Sequence, residues 1–220
     1  KRLLMNGVDV STRYTMRSRE MYQRYATYIF RVVKAKMGNY LIFFPSYRFM
    51  EDVYQEFTQL LASDEEEMEL VIQQKHMDEE ERENFLRAFE MGREKSLIGF
   101  GVLGGIFSEG IDLTNEKLIG TLIIGTGLPQ VCNEREILKS YFDQKGLYGF
   151  DYAYRYPGMN KVLQAAGRVI RTPEDRGVVL LIDDRFLAPD TRRLMPPHWE
   201  QLKTVDSAQA LTAELAAFWK

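Results

Sequence analysis

Two short apolar runs leave this chain few ways to fold. Tyr40-Leu41-Ile42-Phe43-Phe44 holds no charged residue and is closed by Pro45, and Val178-Val179-Leu180-Leu181-Ile182 repeats the pattern after Gly177. A strand with one wet face alternates apolar and polar residues. An unbroken run needs cover on both faces, as in a parallel sheet. Amphipathic stretches of helical period separate the runs. Right-handed crossovers then predict an α/β domain, a mostly parallel sheet with helices on both faces.

The remaining elements follow from punctuation. Residues 1–17 read as mixed and irregular. A helix is expected over 18–37, with Tyr22, Tyr25, Ile29, Val32 and Val33 at helical spacing and Gly38-Asn39 at its end. Ser46 is placed to cap a second helix running to about residue 61. Residues 68–73 read as a strand. Asp78 and Glu81 have capping-box spacing and open a helix carrying Phe85, Leu86 and Phe89, with Gly92 near its end. Strands are expected over 96–102, 117–124 and 177–182, and helices over 134–142 and 159–171. Residues 146–157, rich in aromatics and ended by Pro157, read as an irregular insertion. Pro189 and Pro196-Pro197 break up a tail that closes with a helix over 207–219. No repeat or linker divides the 220 residues, so one domain spans 1–220, with helical decoration at both ends, including a tail over about 190–220.

Composition narrows the function. The formal charge of −3 argues against a domain that coats nucleic acid through bulk charge, although Asp64-Glu65-Glu66-Glu67 and Asp78-Glu79-Glu80-Glu81 carry much of the acid and leave other faces open to a polar track. The single cysteine, Cys132, makes no internal disulfide, holds no iron–sulfur cluster and suits a reducing, cytoplasmic setting; it is expected to be half-buried. No apolar run is long enough to cross a bilayer, and the first residues do not read as a signal peptide. A start at Lys1 reads as a fragment. His76 and His198 are too far apart in unlike settings to suggest a metal site, and no G-x-S-x-G elbow makes Ser46 or Ser108 a hydrolytic nucleophile.

Ligand-binding loops in such a sheet leave the carboxyl ends of the strands. Three segments fall there: Pro45-Ser46-Tyr47-Arg48, the run from Gly104 to Asp112, and Gly125-Thr126-Gly127-Leu128-Pro129-Gln130. The second is the richest, with glycines that admit close backbone approach, the Ser108 hydroxyl, and the carboxylates of Glu109 and Asp112. Gln164, Arg168 and Arg171 have spacings that put them on one helical face, where two guanidiniums would clamp phosphate oxygens. A tight acidic connection and a solvated polar face explain the same residues without any ligand. Asp183-Asp184 follows a strand as a magnesium-holding acid would, but the chain has no G-x-x-x-x-G-K-S/T cradle, which makes these structural or interface groups. Gly99-Phe100-Gly101-Val102-Leu103-Gly104 has G-x-G-x-x-G spacing, but no acid is placed after a nucleotide-binding helix, so a Rossmann dehydrogenase is poorly supported.

Taken together, the segments resemble the C-terminal RecA-like motor of superfamily 2 DNA helicases of the Rad3/DinG type, over about residues 11–185. Gly38-Asn39-Tyr40-Leu41-Ile42-Phe43-Phe44-Pro45-Ser46-Tyr47 resembles motif IV of that family. Gly104-Gly105-Ile106-Phe107-Ser108-Glu109-Gly110-Ile111-Asp112 resembles motif V, and Gln164-Ala165-Ala166-Gly167-Arg168-Val169-Ile170-Arg171 resembles motif VI, Q-x-x-G-R-x-x-R.

The resemblance implies a RecA-like (P-loop NTPase-like) fold, helicase motor domain 2, that sandwiches ATP and Mg2+ with an N-terminal motor of the same protein. It implies that Arg171 is the arginine finger beside Arg168, that Gln164 positions phosphate or water, and that Asp112, Glu109 and Gly110 line the ribose and the motor interface. Ser46, Tyr47, Ser108 and Arg48 would touch single-stranded DNA, with Thr12 a weaker candidate; Tyr14 and Arg17 resemble a family segment without an assigned role. Any iron–sulfur cluster would belong to the first motor. The fragment alone would be inactive. The competing reading is a non-catalytic RecA-like module that binds nucleic acid or protein.

Overall fold

In a computed structural model, which describes residues 1–64, 67–89, 94–107, 118–169 and 176–220, the two apolar runs lie inside one sheet. The chain order is β1 (Arg2–Gly7), α1 (Arg19–Ala35), β2 (Asn39–Phe44), α2 (Tyr47–Ala62), β3 (Glu69–Ile72), α3 (Glu79–Arg87), β4 (Leu97–Val102), β5 (Gly120–Ile124) and α4 (Asn133–Gln144). Then come α5 (Tyr156–Ala166), β6 (Gly177–Ile182), α6 (Pro189–Arg192), β7 (Lys203–Val205) and α7 (Ala208–Trp219). The seven strands are ordered β3-β4-β2-β5-β6-β1-β7, and every pairing is parallel.

Pairing explains why β2 and β6 needed no polar positions. All six residues of each are buried. Helices α1, α2 and α7 cover one face, with Ile42, Phe44, Phe100, Leu122 and Leu180 in that core. The opposite face, with Leu41, Phe43, Ile123, Val179 and Leu181, packs against α3, α5, Phe186 and Trp199. The Phe100 ring meets those of Phe44, Tyr54 and Phe57 with centroids 5.9, 5.0 and 5.6 Å away.

Capping fixes the helix starts as the side chains require. Ser18 and Ser207 accept from the amides three residues on, and Asp78 and Glu81 close a reciprocal capping box.

Four expectations are corrected. Residues 2–7 form β1, held between β6 and β7 rather than irregular. Its Leu3-Leu4-Met5 run is too short to stand out until neighbours supply its hydrogen bonds. β7 lies within a tail that reads only as broken. The aromatic segment before Pro157 is helical, a π-helical turn over Asp151–Arg155 that runs directly into α5. Pro157 lies inside this continuous helix and donates no N–H; the Ala153 carbonyl four residues earlier accepts from Arg135 Nη1 at 2.7 Å instead. Finally, Cys132 is exposed, as the residue before α4. Gly92, at the expected end of α3, lies outside the described residues.

The aromatic cluster gives the first test. Phe100→Ala should lower unfolding free energy by about 3–5 kcal/mol, through lost burial and a poorly filled cavity. Urea denaturation followed by circular dichroism reads it, and an unchanged midpoint would refute the packing described.

Candidate functional site

The carboxyl edge of the sheet is assembled from residues far apart in sequence. After β2 stops at Pro45, Ser46 takes an extended backbone and its Oγ accepts from Phe49 N at 3.3 Å, which starts α2. The next side chain, Tyr47, is half-buried, and its hydroxyl accepts from Gln73 Nε2 at 2.9 Å. Burial raises the Tyr47 pKa, and the Gln73 bond works in the other direction. Gln73 is 2% exposed, and its Oε1 accepts from Val102 N at 2.8 Å. One amide side chain therefore ties the end of β3 to the end of β4 and to the first turn of α2. Sequence reading places Gln73 only as a strand end. A polar residue closing an apolar run was its one signal. Arg48 is exposed on the same first turn.

A second knot joins the ends of β1 and β6. Asp183 is fully buried. Its Oδ2 accepts from the Thr12 amide at 3.0 Å and the Thr12 hydroxyl at 2.6 Å, while Arg185 donates Nε to Oδ1 at 2.8 Å and a terminal nitrogen to Oδ2 at 2.9 Å. Arg185 also donates to the Thr12 hydroxyl. Thr12, the weaker nucleic-acid candidate, is buried against Gly125 and ties the rim together. Asp184 pairs with Arg13, and Arg17 lies over the rings of Tyr14 and Phe49. Tyr14 itself is 84% exposed.

The helix carrying the third motif spans one face of the sheet. At its start, a β-carbon on Gly158 would lie 2.8 Å from Thr126 O, so backbone meets backbone just past β5. Just beyond its end, Val169 packs on Gly177 at the start of β6, where a β-carbon would be 2.3 Å from Val169 Cγ1. α5 therefore begins at the carboxyl edge and ends at the amino edge. The helix stops at Ala166, with Gly167 as its C-cap, so it is shorter than the 159–171 expected, and Arg168 lies in the following turn. Poor helix propensity at Gly167 and the seating of Val169 on the sheet account for the early stop. Gln164 is exposed and Arg168 is 8% exposed, so they do not share one solvated stripe. Ser108, Glu109, Gly110, Asp112 and Arg171 lie outside the described residues. The structure thus gathers Ser46, Tyr47 and Arg48 at one edge and sets Gln164 and Arg168 towards the other.

An all-parallel sheet with this strand order, covered by helices on both faces, is the RecA-like fold of helicase motors. It superposes on a solved structure of apo XPD with TM-score 0.72 at 24% identity, covering 92% of this chain and 39% of that one. The C-terminal domain of the DEAD-box protein Dbp5 shares the fold at TM-score 0.53 and 13% identity, over 98% of this chain and 97% of that one. The chain belongs to the helicase C-terminal domain family, whose profile matches residues 29–202.

Its relatives are of XPD/Rad3 type. The ATP-dependent DNA helicase XPD of Sulfolobus acidocaldarius is 30% identical over 186 residues, 82% of this chain and 31% of that protein. The general transcription and DNA repair factor IIH helicase subunit XPD/RAD3 of Saccharomyces cerevisiae is 26% identical over 220 residues, 95% of this chain and 27% of that protein. This chain therefore spans less than a third of the length of either relative.

The Asp183 knot carries a pH signature. Burial alone would raise its pKa, but the Arg185 and Thr12 bonds outweigh burial and hold the carboxyl below its usual range. Its stabilisation is fully present above the unfolded value of about 3.9 and drains away as pH falls through the lower folded value. Asp183→Asn should cost about 3 kcal/mol at neutral pH, since it leaves the Arg185 charge without its counter-ion. Melting curves at neutral pH and near pH 3 test this: the gap between wild type and variant should narrow on acidification.

Proposed function

We propose that this chain is the second motor domain of an ATP-dependent DNA helicase. It would complete an ATP site built mainly by an N-terminal motor of the same protein and grip single-stranded DNA. The family and its XPD/Rad3-type relatives support the general reading. The observation that carries the finer one is α5. One helix, anchored at both ends to the sheet, starts beside the carboxyl-edge loops and delivers Gln164 and Arg168 to the other end.

Arg168 suits a phosphate partner. A guanidinium always carries charge, and at 8% exposure this one is already confined, so little side-chain freedom remains to be lost when an anion arrives. On this reading Arg168 and Arg171 contact the β- and γ-phosphates, with Arg171 as the finger. Gln164 orients phosphate or water, and Asp112, Glu109 and Gly110 face the ribose and the partner motor. Mg2+ enters with ATP and is held by the first motor. Ser46, Tyr47, Arg48 and Ser108 contact the phosphodiester backbone, which positions a strand without reading its sequence. ATP closes the cleft between motors; hydrolysis removes the anion that Arg168 and Arg171 hold, and the cleft opens.

Among the described residues no helix is long and apolar enough to cross a membrane. A cytoplasmic setting forms part of the same proposal.

The test uses the full-length protein. Arg171→Ala should reduce DNA-stimulated ATP turnover by on the order of 10³-fold or more, with single-strand affinity retained within a few-fold. Turnover near wild type would remove the finger assignment. The 220-residue chain by itself should hydrolyse no ATP above background.

A further inference from the structure

We propose that Lys161 is a phosphate-contacting residue for the translocated single strand, at the strand-facing end of α5. The inference rests on the motor reading above and adds to it a residue outside the helicase motifs. Lys161 lies one turn before Gln164 on α5. Its side chain is laid across Gly104, just past the end of β4: a β-carbon there would be 2.7 Å from both Cε and Nζ. Gly104 has φ +77°, a conformation that side chains rarely adopt, so glycine both permits the turn and leaves room for the lysine.

The ammonium is held against the turn at Gly104. Among the described residues no carboxylate pairs with Lys161, although its side chain is only half-exposed. A cation fixed against backbone with no carboxylate beside it among the described residues suits an external anion. Its surroundings point to which one. Gly105, the next residue, would place a β-carbon 3.0 Å from Gln73 Nε2, and that same nitrogen donates to the Tyr47 hydroxyl. Tyr47, Gln73, Gly105, Gly104 and Lys161 therefore form a continuous row along the carboxyl edge, with exposed Arg48 beside Tyr47. Arg168 lies seven residues further on, about 10 Å along the α5 direction. The row thus follows the edge rather than the end of α5 assigned to nucleotide. A compact ammonium acts on phosphate as a point charge and carries no sequence preference.

Two sources of phosphate must be told apart, the strand and the nucleotide. In the full-length protein, fluorescence anisotropy of a labelled oligo-dT should be measured across a salt series for wild type, Lys161→Met and Lys161→Arg. Methionine keeps the apolar stem and removes the charge. The expected result for Lys161→Met is roughly tenfold weaker binding at low salt. The slope of log affinity against log salt should shrink by about 0.7, the share of one single-strand phosphate contact. Lys161→Arg should restore the wild-type slope. An unchanged slope in a folded Lys161→Met protein overturns the inference and leaves the motor reading standing. Loss of affinity for a fluorescent ATP analogue with an unchanged strand slope also overturns it, by placing the lysine on nucleotide. Wild-type protein that binds oligo-dT without salt dependence would sink the motor reading itself.

Discussion

Every strand of this sheet runs in the same direction, and that geometric constraint governs what the molecule can do. Parallel neighbours cannot be joined by tight hairpins, so each connection must cross a face and return. The crossovers bury β2 and β6 on both sides and collect the loops that follow β1, β2, β4, β5 and β6 at a single edge. Residues separated by most of the chain meet there. Thr12 and Asp183 lie 171 positions apart and share a hydrogen bond of 2.6 Å. Buried polar groups of the rim satisfy one another there, where an unpaired group would be costly.

Helix α5 adds direction to that arrangement. Close backbone contact between Gly158 and the loop after β5 fixes one end, and the seating of Val169 on Gly177 fixes the other. A short helix pinned twice moves as a body with the sheet. Lys161 and Arg168 are thus carried towards opposite edges by the same element.

The acidic total charge does not oppose a polynucleotide track. Glu79, Glu80 and Glu81 occupy the first turn of α3, where carboxylates complement the exposed amides and the helix dipole, and Glu67 pairs with Lys95 beside the edge strand β3. Those charges serve local structure. The stretch of edge from Tyr47 to Lys161 presents neutral polar groups and cations, which suits a narrow contact with phosphates.

Local pattern was enough to reveal β2, β6, the caps at Ser46 and Asp78, and the three motif segments, because each depends on residues adjacent or one helical turn apart. The parallel α/β class followed from apolar runs without alternation. Other features depended on distant partners. β1 is a strand because β6 and β7 flank it, and Asn6 is buried there despite its polarity. Gln73 gained its role from Tyr47 and Val102, and Thr12 became a lock because Asp183 and Gly125 enclose it. The spacing of Gln164 and Arg168 suggested a common exposed stripe, whereas packing ended α5 at Ala166 and turned Arg168 inward. Sequence by itself determined the strongly patterned helices and strands and the order of the motifs, since periodicity along the chain is local. Tertiary structure alone decided which edge each side chain reaches, because parallel crossovers bring together residues that no spacing along the chain relates.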